Sequence, residues 1–209
     1  MQTDANGCTS DVTITVTEPT LLGSSATSTA ILCNGGTSTV TVSATGGTAP
    51  YSGTGNFTVS AGTHSYTVTD ANGCTSDVTI TVTEPTQLVA SASSTVIPCF
   101  GGTSDVTVSA TGGTPPYSGT GLNTVSAGVY TYTVTDANGC TSDVTITVDQ
   151  PDQIEANITP QNHVIDCVPI PVTLTANPTG GTGGPYTYLW SNGETTASID
   201  VNPNTTSTY

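Results

Sequence analysis

Six cysteines are the residues whose type and spacing best define a chemistry in this chain of 209 residues. They recur with a period of 66 to 68 residues in two series: Cys8, Cys74 and Cys140, and Cys33, Cys99 and Cys167. No C-x2-C cluster is present, so structural disulfides are favoured over a zinc site. We therefore predict an extracellular protein whose cysteines form disulfide bonds.

Groups that could support catalysis are few and form no recognisable set. The two histidines are His64, which we expect on the surface, and His163, which we expect in a strand. Neither stands in a motif that places a nucleophile beside a base. The aspartates recur with the repeat, which fits a role in turns better than an active site present three times. We expect no enzymatic activity, no catalytic residue and no cofactor.

Calcium is the alternative role for the repeated carboxylates. Glu84 stands beside Pro85 where one repeat passes into the next, and Asp136 is the turn carboxylate of the following repeat, so the two could approach each other. Ca²⁺ takes about six to eight oxygen ligands, of which the sequence supplies only a few here. The prediction is therefore no metal site, with Glu84 and Asp136 as the candidate ligands if calcium binds.

The composition excludes several classes of partner. The chain has no Lys or Arg and 15 acidic residues, which gives a formal charge of −15. A protein without a basic surface cannot neutralise phosphates, so we expect neither nucleic acid nor anionic lipid as a partner. No apolar run is long enough to insert in a membrane. The expected partners are neighbouring repeats of the same chain, with surface polysaccharide or other cells as candidate ligands.

Alternating sequence patterns predict the elements that position the cysteines. In the second repeat the runs 106–110, 130–134 and 144–148 each alternate apolar residues with threonine or serine. A period of two is typical of a strand with one buried face, and β-branched threonine suits such a surface. No stretch has a helical period, so the pattern predicts only strands.

An Asn-Gly pair separates the last two predicted strands of each repeat. Both residues tolerate a positive φ, which makes the pair a strong signal of a β-hairpin. The pairs are Asn6-Gly7, Asn72-Gly73 and Asn138-Gly139. About seven short strands per repeat, separated by such turns, predict an antiparallel β-sandwich of immunoglobulin-like type. The expected fold is all-β, with tandem sandwich domains in a rod-like array.

The period divides the chain into four segments. We expect residues 1–19 to be the last hairpin and strand of a truncated preceding repeat. Residues 20–85 and 86–151 are expected to form two complete repeats. Residues 152–209 are expected to form a third unit that ends before its final strands.

Three stretches carry a resemblance to a known family. YTVTDANGCTSDVTITVTEP, SATGGTPPYSGTG and CNGGTSTVTVSATGG resemble the SprB-type repeats of gliding-motility adhesins on Bacteroidota cells. The third unit, PVTLTANPTGGTGGPYTYLWSNGETTASIDVNPNTTSTY, is similar to the immunoglobulin-like and PKD-like domains of the same surface proteins. The resemblance implies a very long protein at the cell surface, secreted by the type IX route.

The repeats and the resemblance together predict a structural role. We expect a stalk segment of a long cell-surface adhesin or filament, which gives reach and stiffness and supports attachment. One alternative is a non-catalytic spacer in a secreted polysaccharide-degrading enzyme. Another is the subunit of a self-assembling extracellular filament whose copies donate strands to one another.

The predicted topology also favours one pairing of the cysteines. In a sandwich of this type, Cys33 falls between the first two strands, at the opposite end of its domain from the last hairpin. A strand of about seven residues separates the two ends by about 23 Å, whereas a disulfide needs Cα atoms within about 7 Å. We therefore predict a bond from Cys33 to Cys140 of the next repeat. Pairing within each repeat, Cys33 with Cys74 and Cys99 with Cys140, is the alternative. In the first case the remaining cysteines would pair with repeats beyond this sequence: Cys8, Cys74, Cys99 and Cys167.

Overall fold

The computed structural model describes residues 2–164 and 170–202. Within these ranges every regular element is a β-strand, and every strand pairing is antiparallel. The same residues contain no helix long and apolar enough to cross a membrane. The predicted all-β fold class is confirmed.

The chain folds as two compact units. The first comprises Met1–Gln87, Gly112–Thr114 and Asn138–Cys140, and the second comprises Leu88–Thr111, Pro115–Ala137 and Thr141–Tyr209. The described residues form three apolar cores, and each core draws its residues from a single one of the segments 20–85, 86–151 and 152–209.

The first residues form only a small hairpin. Its strands are β1 (Gln2–Thr3) and β2 (Thr9–Ser10). The side chains of Val12, Ile14 and Val16 beyond it are 80–90% exposed and belong to no strand. The last strand predicted for residues 1–19 is therefore not formed, because no described strand pairs with residues 11–16.

The first repeat is a two-layer sandwich. Its strands are β3 (Gly23–Ser28), β4 (Ser38–Thr45), β5 (Gly55–Val59), β6 (Gly62–Thr69) and β7 (Thr75–Val82). β3, β4 and β5 form one sheet, while β6 and β7 form a hairpin that Ser52 extends by a single bridge to Thr69. Val40 of β4 and Val68 of β6 have no exposed surface and belong to one core, as the alternating patterns require.

The second repeat has the same topology. Its strands are β8 (Val89–Ser94), β9 (Ser104–Thr111), β10 (Gly121–Val125), β11 (Gly128–Thr135) and β12 (Thr141–Val148). Val106 and Val134 are its fully buried counterparts. Each repeat thus has five strands and one bridge rather than the seven strands predicted. The Gly- and Pro-rich segment before the bridge, 46–50 in the first repeat, cannot extend the ladder because proline has no N–H donor.

The third unit is built from shorter strands. They are β13 (Asp152–Glu155), β14 (Ile158–Thr159), β15 (Val172–Ala176), β16 (Thr179–Gly181) and β17 (Ser198–Val201). β14, β15 and β17 form one sheet and β13 pairs with β16. Trp190 is buried against Ile199 and Val201, and its Nε1 donates to Thr196 O over 2.8 Å.

Strand register places the two cysteines of the first repeat at opposite ends of its sandwich. The loop that carries Cys33 leads into Ser38, which pairs with Val59 at one end of the sheet. The turn that carries Cys74 follows the pair of Thr69 and Thr75, at the far end of an eight-residue hairpin. Eight residues span about 26 Å, so a bond between these two cysteines would require the repeat to unfold.

Candidate functional site: a disulfide and the two turns that carry it

The first half of the site is the loop between β3 and β4. Gly36 N donates to Cys33 O over 3.0 Å, and Gly35 adopts a φ of +77°. Residues after β7 bind this loop: Gly35 N donates to Glu84 Oε2 over 2.6 Å, and Asn34 Nδ2 donates to Pro85 O over 3.1 Å. Glu84 and Pro85, which the sequence suggests as a linker with Glu84 as a candidate calcium ligand, therefore fix the position of Cys33 in their own repeat.

The second repeat builds the same loop around Cys99. Gly102 N donates to Cys99 O over 3.0 Å, and Gly101 has a φ of +76°. Gly101 N donates to Gln150 Oε1 over 2.8 Å, where the first repeat uses a carboxylate. Since a neutral amide takes the same place, this position requires a hydrogen-bond acceptor rather than a negative charge.

The second half of the site is the hairpin turn that carries the other cysteine series, and Asp70 organises it in the first repeat. Asp70 Oδ1 accepts hydrogen bonds from Asn72 N and Cys74 N, both over 2.9 Å, and Oδ2 accepts one from Thr48 N over 2.9 Å. Asp70 as a whole is 6% exposed. The backbone donors of Thr48 and Cys74 hold the pKa of Asp70 below its ordinary value, because they stabilise the charged form.

The backbone of this turn differs from the simple Asn-Gly turn expected. Asp70 N donates to Cys74 O, and Gly73 N donates to Asp70 O, both over 3.0 Å. Only the glycine of each pair has a positive φ, of +82° to +84°: Gly7, Gly73 and Gly139. Asn72 keeps a negative φ, and its Nδ2 donates to Thr48 Oγ1 over 2.9 Å. The asparagine thus connects the hairpin to the turn after β4.

The hairpin turn of the second repeat uses its asparagine in the same way, with one added contact. Asn138 Nδ2 donates to Thr114 Oγ1 over 3.0 Å and also to Leu32 O over 3.1 Å. Leu32 is the neighbour of Cys33 in the first loop. The asparagine side chain therefore holds the backbone beside one cysteine while its own turn presents the other.

Cys33 and Cys140 are joined by a disulfide. Their Cα atoms are 5.7 Å apart, and they are 107 positions apart in the sequence. This is the pairing that the strand topology predicts. The alternative pairings are not formed, since Cys74 and Cys99 are exposed free thiols, as is Cys8. Cys167 lies outside the described residues.

The comparison with known families adds one similarity to this geometry. Residues 173–195 match the SprB repeat. The match runs from β15 to the turn before β17, and it confirms the resemblance to SprB-type repeats that the motifs of the first two repeats predict. The immunoglobulin-like character of the third unit is not confirmed by it. No curated protein matches the chain.

A SprB repeat over residues 173–195 suggests a cell-surface protein of adhesin type. A disulfide fits that environment, because disulfides persist outside the reducing cytosol. The SprB match and the bond are independent observations, and both favour a location outside the cell.

The calcium alternative finds no cluster of ligands in the described part of the chain. No group of three or more His, Cys, Asp or Glu side chains that could hold a metal ion occurs there. Glu84 accepts the Gly35 N–H described above, and Asp136 is 5% exposed.

The two histidines occupy different environments. His64 is half-buried in β6, with Nε2 3.0 Å from Ser60 O, so the expected surface position is only partly realised. His163 is exposed and lies outside any strand, contrary to the prediction. Pro160 supplies a reason, since it has no N–H with which to continue the ladder of β14.

Sequence patterns missed the contacts that hold the hairpin turn. Thr48 supplies two of them, through its N–H to Asp70 and its hydroxyl to Asn72. Tyr51 fixes the preceding turn by donating its hydroxyl to Gly46 O over 2.6 Å, and Tyr186 does the same to Gly180 O over 2.7 Å. The signal was present as a Gly-Gly-Thr followed by Pro-Tyr in both complete repeats.

Proposed function

We propose that this chain is a non-catalytic spacer segment of a cell-surface adhesin of the gliding-motility type, secreted by the type IX route. The Cys33–Cys140 disulfide carries the proposal, because it covalently joins the first repeat to the second. A segment that gives reach to an adhesive protein needs repeated units that do not separate or unfold singly. The bond supports this role, because it cross-links the two repeats in addition to the backbone.

The strand surfaces support a solvated spacer. Threonine and serine hydroxyls pair across the exposed face of each hairpin, as in Thr63 with Thr81 over 3.2 Å, Ser65 with Thr79 over 3.0 Å and Thr131 with Thr145 over 2.9 Å. Such pairs stabilise a sheet without exposing apolar area. Together with a charge of −15, they favour a soluble surface that resists random association.

The environment of the repeated aspartates supports the absence of catalysis. Asp70 is surrounded by three backbone donors that stabilise its ionised form. A general base near neutral pH needs a raised pKa and access to a substrate, and Asp70 has neither. The proposed partners of this segment are neighbouring repeats of the chain. Surface polysaccharide or other cells are the proposed partners of the larger adhesin.

The spacer function can be tested by display on a cell. The segment is placed between a membrane anchor and a small sugar-binding domain, and capture of cells on a glycan-coated surface is measured beneath polymer brushes of increasing thickness. The control is a Gly/Ser linker with the same number of residues. We expect the segment to maintain capture at brush thicknesses where the linker fails, and Cys33→Ser/Cys140→Ser to reduce this advantage.

Two results would contradict the proposal. Equal capture by the segment and the Gly/Ser linker would mean that the folded repeats add no reach. Hydrolysis of a polysaccharide by the isolated segment, lost on a single substitution, would instead favour an enzymatic role.

A further inference from the structure

We propose that the exposed thiols of Cys99 and Cys74 are two halves of a recognition site for a second copy of this chain. Cys99 of one copy would bond to Cys74 of another in the way that Cys33 bonds to Cys140 within one copy. The proposal goes beyond the spacer function, since it concerns contact between separate molecules. Its basis is that each free half has the same geometry as a half that is already bonded.

The loop that carries Cys99 matches the loop that carries Cys33. In each, the glycine three residues after the cysteine donates to the cysteine carbonyl over 3.0 Å, and the glycine between them has a φ of +76° or +77°. A side-chain oxygen from the end of the repeat, Gln150 or Glu84, accepts from that glycine. Cys99 is thus held in the conformation that is bonded at Cys33, but its thiol is free.

The turn that carries Cys74 matches the turn that carries Cys140. Residues 69–82 and 135–148 have identical sequences, and Gly73 and Gly139 both have a φ of +84°. Asn72 Nδ2 uses one N–H for Thr48 Oγ1. Its equivalent also donates to the carbonyl beside the partner cysteine. An amide nitrogen has two such donors, so Asn72 can contact a second copy in the same way.

The expected acceptor is also present in the second loop. Pro98 stands one residue before Cys99, as Leu32 stands before Cys33, and a proline keeps its carbonyl oxygen. Phe100, which follows Cys99, is 52% exposed and offers apolar surface for the contact to cover. The free thiols therefore have around them the groups that accompany the bond already formed.

Formation of the intermolecular bond requires an oxidant. The two thiols release two protons and two electrons as the S–S bond forms. A small-molecule disulfide such as oxidised glutathione accepts them by thiol–disulfide exchange and leaves as two thiols. Exchange begins with the thiolate, and both protein thiols are exposed to solvent, as this attack requires.

The test mixes two variants that each keep one half of the site. Both carry Cys8→Ser and Cys167→Ser; one also carries Cys74→Ser and the other Cys99→Ser. One protein is labelled with ¹⁵N, and the mixture is oxidised with glutathione disulfide at physiological salt. Intact mass spectrometry then counts the two homodimers and the heterodimer. We expect the ratio of heterodimer to either homodimer to exceed its statistical value of two about tenfold, which is the factor that about 1.4 kcal/mol of contact free energy gives.

A matched control moves the second thiol. The control keeps Cys8→Ser and Cys167→Ser and adds Cys74→Ser, Cys99→Ser and Ser60→Cys. It presents an exposed thiol outside the hairpin turn and should give statistical mixtures with the Cys99 partner. A statistical 1:2:1 ratio of products from the Cys99 and Cys74 variants would overturn the proposal. So would a control mixture that gives as much heterodimer as those two variants do. Oxidation of the unsubstituted chain, followed by peptide mapping, checks it independently of folding defects in variants. A Cys74–Cys99 bond within one copy would also overturn it.

Discussion

Cys33 and Cys140 are 107 residues apart in the sequence, yet their Cα atoms lie 5.7 Å apart and their sulfurs are bonded. The bond begins at the loop after β3 and ends at the hairpin turn between β11 and β12. Neither turn depends on the bond for its own hydrogen bonds, since Cys99 and Cys74 lie in equivalent turns as free thiols. The disulfide therefore joins two turns that the backbone forms separately.

Removal of this bond is expected to lower stability strongly. Because the bond closes a loop of about a hundred residues, the chain-entropy relation gives it about 4–5 kcal/mol of the free energy of unfolding. Cys33→Ser/Cys140→Ser should lower the urea midpoint accordingly. The matched control is Cys74→Ser/Cys99→Ser, which removes two exposed thiols and should leave the midpoint unchanged. Equal midpoints for the two double variants would show that the bond constrains nothing.

Acid should weaken the first repeat through Asp70. Its pKa in the folded state lies below the ordinary value of 3.8, since the N–H groups of Thr48 and Cys74 stabilise the carboxylate. A lowered folded pKa contributes stability that is complete above pH 3.8 and is lost as the pH falls through the folded pKa. Asp70→Asn should remove this acid-dependent loss and lower stability at neutral pH, because an amide NH₂ would face a backbone donor.

The control for Asp70→Asn is Asp77→Asn on the same hairpin. It removes one charge from an exposed carboxylate and keeps an oxygen that can accept from Thr67 Oγ1. Urea unfolding measured from pH 7 to pH 2 compares the two variants with the parent. The same acid limb in Asp70→Asn as in the parent would contradict the assignment.

Two glycines should separate backbone strain from steric collision. Gly46 has a φ of +69°, and a Cβ added there would collide with the carbonyl oxygen of Leu21. Gly73 has a φ of +84°, and its Cβ would meet no atom within 4 Å. Gly73→Ala should cost about 1–2 kcal/mol from the left-handed conformation alone, and Gly46→Ala about 3 kcal/mol or more. Thermal unfolding that ranks the two variants in the reverse order would contradict this geometry.

Two tyrosines in the first repeat should respond oppositely to loss of the hydroxyl. Tyr66 packs against Phe57 with ring centroids 4.6 Å apart, and its buried hydroxyl has no hydrogen-bond partner in the described residues. Tyr66→Phe should therefore leave stability unchanged or raise it by about 1 kcal/mol. Tyr51→Phe loses the bond to Gly46 O and should lower stability by about 1 kcal/mol. Chemical denaturation of both variants tests the pair, and a clear loss of stability in Tyr66→Phe would be inconsistent with an unpaired hydroxyl.

The alternation of apolar and polar residues predicted the strands well wherever a second sheet packs against them. Val78, Ile80 and Val82 pack into the first core as their period of two requires. Val12, Ile14 and Val16 stand in the same sequence, yet they are exposed and form no strand. A strand needs a neighbour for its backbone groups and a core for its apolar face, and neither is a property of the local sequence.

The pairing of the cysteines in the site could be predicted from the sequence, but the contacts that support their two turns could not. The opposite ends of a sandwich exclude a bond between Cys33 and Cys74, and that argument needs only strand lengths. The roles of Glu84, Thr48 and Asn138 depend on which loops meet in three dimensions. These residue types also suit ordinary turns. The local sequence therefore does not indicate that these side chains bind a second loop.

The disulfide also determines how the chain would respond to mechanical load. When residues on either side of the pair are pulled apart, the load passes through the sulfur–sulfur bond, and residues 34–139 lie outside its path. Those residues correspond to about 350 Å of extended chain, at 3.3–3.6 Å for each of the 107 steps. Reduction of the bond would make that contour length available once the repeats unfold under load, so the redox state of one bond limits how far this segment can be extended.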